Sequence, residues 1–127
     1  MKIIYYVNQF FGGIGAEEHA GAPLEFRDGA LGPAKLFEQL MGDDAKVVLT
    51  IVCGDNYAVE HQDDVTAAVL EKVRTTGADL FAAGPCFDAG RYGMAAGAIA
   101  TAVQSELGLP AITAMHLENP GVDIFRE

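Results

Sequence analysis

The run KVVLTIVC at residues 46–53 constrains the fold more than any other part of this 127-residue chain. Val47, Val48, Thr50, Ile51 and Val52 are β-branched, and such side chains suit a pleated strand better than a helix. A strand with one wet face alternates apolar and polar residues. This one is apolar on both faces, so it belongs inside a sheet covered on two sides. Parallel sheets are built that way, because their crossover connections lay helices across both faces.

The rest of the chain supplies the alternation that such a sheet needs. Residues 2–10 (KIIYYVNQF) are rich in Ile, Tyr, Val and Phe and predict a first strand. Residues 33–41 (PAKLFEQLM) begin on a proline suited to a first helical turn, place Leu36, Phe37, Leu40 and Met41 on one face, and stop at Gly42. Residues 58–76 predict an amphipathic helix, with Val65, Ala68, Val69 and Val73 at helical spacing and Gly77 as its C-cap. Residues 79–83 (DLFAA) follow as a third strand. Residues 94–107 make a helix whose Ala96, Gly97 and Ala100 permit close packing, and residues 111–116 (AITAMH) a fourth strand. Strands separated by helices give right-handed β-α-β units. The expected fold is therefore a single α/β domain over residues 1–127, three-layered and Rossmann-like, with a mostly parallel sheet. Residues 11–32 hold so many glycines, with Pro23, that no regular element is assigned; a stretch of that length usually binds something.

Composition narrows the function classes. Eight Lys and Arg against 18 Asp and Glu give a net charge of −10, which disfavours nucleic acid and acidic lipid as partners. The apolar runs fall far short of the roughly 20 residues that a membrane helix needs, and the first residues enter a strand pattern with no signal-peptide layout. Cys53 and Cys86 read as free thiols of a cytoplasmic protein.

Ligands of such sheets bind in the loops at the carboxyl ends of the strands, where strand order switches, and four loops qualify. The first follows the strand over residues 2–10, on which Asn8 lies near the carboxyl end. The second is Gly54-Asp55-Asn56-Tyr57, which can bind a ligand or simply turn the chain and cap the next helix. The third, from Gly84 to Gly93, places Cys86, Asp88, Arg91 and Tyr92 ahead of a helix. Free N–H groups and the helix dipole favour an anion there, and Arg91 can clamp a carboxylate or phosphate or instead pair with Asp88 or another acid. Cys86 can be a nucleophile or an ordinary small buried residue. The fourth runs from His116 through Glu118 and Asn119, and His116 is a ligand contact or a packed residue.

Other motifs fail on spacing. Glu17, Glu18 and His19 lack the i, i+4 pattern of a metal site, and no metal is expected. His61 sits on an acidic, exposed helix start. Gly12, Gly13 and Gly15 form neither a dinucleotide fingerprint nor a P-loop, and no His and Asn arrangement supports a cysteine protease.

Taken together, YYVNQFFGGIGAEE, TIVCGDNY, LFAAGPCFDAGRYG and ENPGVD resemble, in this order, the amino-terminal portion of the selenoprotein B subunit of the glycine, sarcosine and betaine reductases, a family related to D-proline reductase. The resemblance spans almost the whole chain. It implies a subunit, or the amino-terminal part of a larger, cleaved or split subunit, of a complex that reductively cleaves a carbon–nitrogen bond of a small amino acid or N-methylated amine. A pyruvoyl group that captures an amine, and a selenocysteine or cysteine that attacks the adjacent carbon, are implied on a partner chain or in the remaining portion. The expected partners are that remaining portion or a second subunit, a thioredoxin-type reductant and a small amino-acid substrate, in a hetero-oligomer. The family's redox-active selenocysteine lies well beyond the ENPGVD segment, so this chain's expected contribution is substrate contact through Asn8, Asp55, Asn56, Tyr57, Asp88, Arg91, Tyr92, His116, Glu118 and Asn119. No redox role for Cys86 carries over from the family. The competing readings are a non-catalytic module binding a small carboxylate or a partner, and a thiol enzyme using Cys86.

Overall fold

The computed structural model describes residues 1–125. Five strands form one sheet: β1 (Lys2–Val7), β2 (Glu25–Asp28), β3 (Lys46–Val52), β4 (Leu80–Ala83) and β5 (Ala111–Thr113). Five helices accompany them: α1 (Pro33–Met41), α2 (Asp55–Glu60), α3 (Gln62–Thr76), α4 (Gly90–Leu107) and α5 (Pro120–Phe125). The order across the sheet is β2-β3-β1-β4-β5. β3, β1, β4 and β5 run parallel, and β2 pairs antiparallel with β3 at the edge. The three-layer, mostly parallel α/β arrangement is the one that the β-branched run demands.

Each face of the sheet has its own core. Ile4, Tyr6, Ile51 and Phe81 pack against Val65 and Val69 of α3 and Ile99 and Val103 of α4. Ile3, Tyr5, Val7, Val47 and Val52 meet Ala34 and Phe37 of α1, together with Ile14 and Leu31 of the loop before it. Val47, Ile51 and Val52 are fully buried, as a strand apolar on both faces must be. The layers are unequal: α2, α3 and α4 cover the first face, α5 packs on α4, and α1 with its preceding loop serves the second.

Several expectations are corrected. The segment 11–32 is not devoid of regular structure, since it holds a 3-10 turn at Glu17–His19 and the strand β2. The first strand stops at Val7 and the fourth at Thr113, each short of its expected end. The single helix expected over residues 58–76 is two: it starts at Asp55, breaks at His61 (φ −120°, ψ 36°) and resumes at Gln62. The helix expected from residue 94 begins at Gly90. ENPGVD closes with a helical turn rather than a loop, because Pro120 starts α5. On α1 the face that meets the sheet is that of Ala34 and Phe37, and only part of the expected apolar face is covered. Phe37 packs edge-on to Tyr5 at 5.3 Å between ring centres, whereas Leu36 and Leu40 are 58% and 78% exposed.

Candidate functional site

The central strand β1 lies between β3 and β4, and the chain crosses it on passing from β3 to β4, so the loops following these three parallel strands crowd together at their carboxyl ends. The centre of that crest is Asp55, first residue of α2 and 7% exposed. Asn8 Nδ2 donates to Asp55 Oδ2 at 3.1 Å, and the Asp55 amide donates to Gln9 Oε1 at 3.0 Å, so the first loop holds the second by both side chain and backbone. Asn8 Oδ1 also accepts from the Phe11 amide at 3.1 Å. The α2 N-terminus is closed internally: Ala20 O accepts from the amides of Asn56 (2.8 Å) and Tyr57 (3.2 Å). Gly54 permits this approach, because a Cβ there would stand 2.3 Å from Ala20 O.

Burial pushes the Asp55 carboxyl above its ordinary range, and the Glu17 carboxylate adds to the rise; the Asn8 hydrogen bond and the Arg91 charge oppose it. Asp55 Oδ1 has no hydrogen-bond partner among the described residues, and neither do the buried hydroxyls of Tyr6 and Tyr92. Burial is also the main reason that both phenols titrate well above their usual value, and each feels the charge of Asp55. The two rings lie 6.3 Å apart, and Phe11 continues the aromatic wall from Tyr92 (6.2 Å) to Phe87 (6.1 Å). One carboxylate oxygen and two phenol oxygens are thus buried near one another without a well-formed hydrogen bond among the described residues.

Arg91 stands at the rim. Its guanidinium reaches Glu17 Oε1 at 3.3 Å, and both side chains are mostly exposed, so the pair is weak and exchangeable. It follows Gly90, where α4 begins and the first-turn N–H groups lack helical acceptors. Asp88 is exposed on the same loop.

Asn119 is a pin. It is 1% exposed; its Nδ2 donates to Phe87 O (3.1 Å) and Ala89 O (3.0 Å), while its Oδ1 accepts from the Gly121 amide (2.9 Å). Phe87 O takes a further bond from the His116 amide at 2.7 Å, and these bonds hold Phe87 at φ +50°, a left-handed conformation that a bulky residue adopts only when its surroundings enforce it. Gly93 leaves the space: a Cβ there would lie 2.0 Å from Asn119 Oδ1.

The remaining candidates separate. His116 is exposed, and its Nδ1 accepts from the Glu118 amide at 3.3 Å. Glu118 is exposed, and Tyr57 stacks on His61 at 4.4 Å. Asn56 is half-buried beside Asp55. Cys86 and Cys53 are fully buried, and burial pushes both thiols up to about 12, which keeps them protonated at neutral pH. His19 reaches Glu18 at 3.4 Å. Sequence reasoning missed Gln9, Glu17, Tyr6 and Phe11. Gln9 alone carried a signal, as an amide on the strand run next to Asn8; the others are defined only by what the fold brings to them.

The whole chain, residues 1–127, matches the family model described as glycine/sarcosine/betaine reductase selenoprotein B. It is 50% identical over 126 residues to the glycine reductase complex component B subunit gamma of Symbiobacterium thermophilum, covering 99% of this chain and 29% of that protein. It is 47% identical over 127 residues to the sarcosine reductase complex component B subunit beta of Peptoclostridium acidaminophilum, covering 100% of this chain and 29% of the relative. Against the betaine reductase complex component B subunit beta of the same organism it is 39% identical over 126 residues, again 99% and 29%. The chain therefore spans less than a third of the length of these relatives. No solved structure matches it.

Proposed function

Because the chain belongs to the glycine/sarcosine/betaine reductase selenoprotein B family, we propose that it is the substrate-contacting α/β part of a reductase complex that cleaves the carbon–nitrogen bond of a small amino acid or its N-methylated relative. The observation that carries this reading is a buried Asp55 with one oxygen free, held by Asn8 and Gln9 of the first loop and within the electrostatic reach of Arg91. A zwitterionic amino acid presents a cation and an anion together. Asp55 Oδ1 and the aromatic rings of Tyr92 and Phe11 suit its ammonium end, and Arg91 with the first turn of α4 suits its carboxylate. Transferring Arg91 from Glu17 to a substrate carboxylate exchanges one exposed ion pair for a better-enclosed one.

The pyruvoyl group and the selenocysteine or cysteine of the reaction belong, in this proposal, to a partner chain or to the family polypeptide beyond this chain; when present they supply amine capture and attack on carbon. Cys53 and Cys86 do not fit the redox role, being buried thiols pushed up to about 12. The chain's own residues bind, orient and exclude water. A thioredoxin-type reductant, a hetero-oligomeric state and a cytoplasmic location complete the proposal; no helix among the described residues is long and apolar enough to cross a membrane. The same crest would also serve a non-catalytic module that only binds a small carboxylate.

Turnover of glycine, sarcosine and betaine by the assembled complex tests the proposal. Arg91→Ala should raise KM by roughly ten- to a hundredfold, the loss expected for a charge-assisted contact, with the melting curve unchanged. Kinetics identical to the parent would sink the substrate-contact role, and binding without turnover in any assembly would favour the binding module.

A further inference from the structure

The opposite ends of the sheet are finished differently. At one edge, β2 is short and charged, Glu25-Phe26-Arg27-Asp28; Arg27 is bonded to Glu25 at 2.7 Å, and Lys72 lies over the Phe26 ring at 5.5 Å. Charges on a short antiparallel strand are the usual protection of an edge. At the other, β5 is Ala111-Ile112-Thr113, pairs with β4 and with no other described strand, and carries no charge. Its free side presents unpaired N–H and C=O groups beside Ile112 at 47%, Ile124 at 57% and Leu117 at 81% exposure. Between β5, α4 and α5 runs a groove of about 730 Å³ floored by Ala100, Met115 and Phe125. In the register of the sheet Ile112 stands beside Ala82, on the face that only α1 and its loop cover, and α1 packs by β3 at the far side.

We propose that an extended apolar segment of the family polypeptide, from the part that this chain does not span, adds to the free edge of β5 as a sixth strand and fills this groove. The relatives are more than three times as long as the matched region, because the chain covers 29% of each. A parallel sheet is stable only with both faces covered, and β5 lacks cover on the side that Ile112 occupies. Strand addition satisfies the open backbone groups, and side chains at alternate positions reach Ile112 on one face and the groove on the other. A second copy of this chain fits less well: with a net charge of −10, two copies brought edge to edge repel.

The inference rests on the family reading, and a photo-crosslinking residue placed at Ile112, with a control at Leu36 on α1, tests it in the complete assembly purified from cells. Mass spectrometry should recover, from the Ile112 position, peptides of the family polypeptide outside residues 1–127, and from Leu36 none of these. Ile112→Lys combined with Leu117→Asp should cut the yield of the equivalent crosslink, placed at Ile124, by roughly tenfold, while a melting curve of the variant verifies that it is folded. Crosslinks to residues 1–127 of a second copy, crosslinks only to another protein, or none at all would overturn the proposal. Crosslinking does not depend on turnover: an inactive assembly with the expected crosslink sinks the reductase reading alone, and an active one without it sinks the docking surface alone.

Discussion

The crest at the carboxyl ends of the strands and the β5 edge are both incomplete, and they lack opposite things. The crest is closed by backbone caps and buried side chains, yet it leaves Asp55 Oδ1 and the Tyr6 and Tyr92 hydroxyls without hydrogen-bond partners among the described residues. Among the described residues the β5 edge has no unpartnered buried side chain of this kind, but it leaves large apolar side chains in water. Missing polar partners beside aromatic rings suit a small polar ligand. Missing apolar cover along a strand calls for polypeptide. One chain can therefore carry a substrate-contacting surface and an assembly surface without either being spread over the other.

The comparison breaks most directly at the pin that shapes the crest. Asn119→Ala removes three hydrogen bonds from a fully buried side chain and should cost about 3 kcal/mol in a denaturant melt. Gly93→Ala pushes a Cβ into the same amide and should cost a similar amount. Both changes act on one contact, so the double variant should lose clearly less than the sum; strict additivity would show that Asn119 is not the pin.

A second difference sharpens the contrast between stability and binding. Asp55 holds its proton to a higher pH when folded than when unfolded, so the folded state binds more protons between the ordinary 3.8 and the raised value, and stability falls as pH rises through that window. Asp55→Asn removes the fall. The variant should melt no lower than the parent at pH 7, with the gap closing towards pH 3, even as binding at the crest is lost. A lower melting point at pH 7 would mean that the carboxylate is held for structure.

The β5 edge should behave in the reverse way. Ile112→Lys changes an exposed side chain and should alter the melt of the isolated chain by less than about 0.5 kcal/mol, while weakening its association with the rest of the assembly. Smallest of all is the expected effect of a thiol reagent on the native chain: with both cysteines buried and pushed up to about 12, iodoacetamide at pH 8 should label neither until the chain is unfolded. Rapid native labelling of Cys86 would restore it as a candidate nucleophile.

How far the sequence could be read follows from what each signal depends on. The strand run at residues 46–53 was legible because burial on both faces keeps it apolar apart from Lys46 at its exposed start and Thr50, whose hydroxyl donates to Gly29 O. β2 was not, since EFRD lies among glycines and prolines and owes its pairing to β3, over 20 residues away. Periodicity placed Leu36 and Leu40 correctly on one face of α1, but it says nothing of whether a neighbour covers that face. In the crest, Asp55 and Arg91 were found as loop residues and Asn8 as a candidate contact on the first strand run, whereas the Asn8 to Asp55 bond spans 47 positions and Arg91 to Glu17 spans 74, which no local pattern can reveal. Asn119 was named for ligand contact; in the fold its hydrogen-bonding groups are committed to Phe87, Ala89 and Gly121.

The central claim, that the crest receives a small amino acid with Asp55 on its cationic end, is tested most directly by calorimetric titration of glycine, sarcosine and betaine into the assembled protein and its Asp55→Asn variant at pH 7. The parent should bind at least one of the three, and the variant should bind that ligand at least roughly tenfold more weakly while remaining folded. Equal dissociation constants for parent and variant, or no binding to the parent, would contradict it.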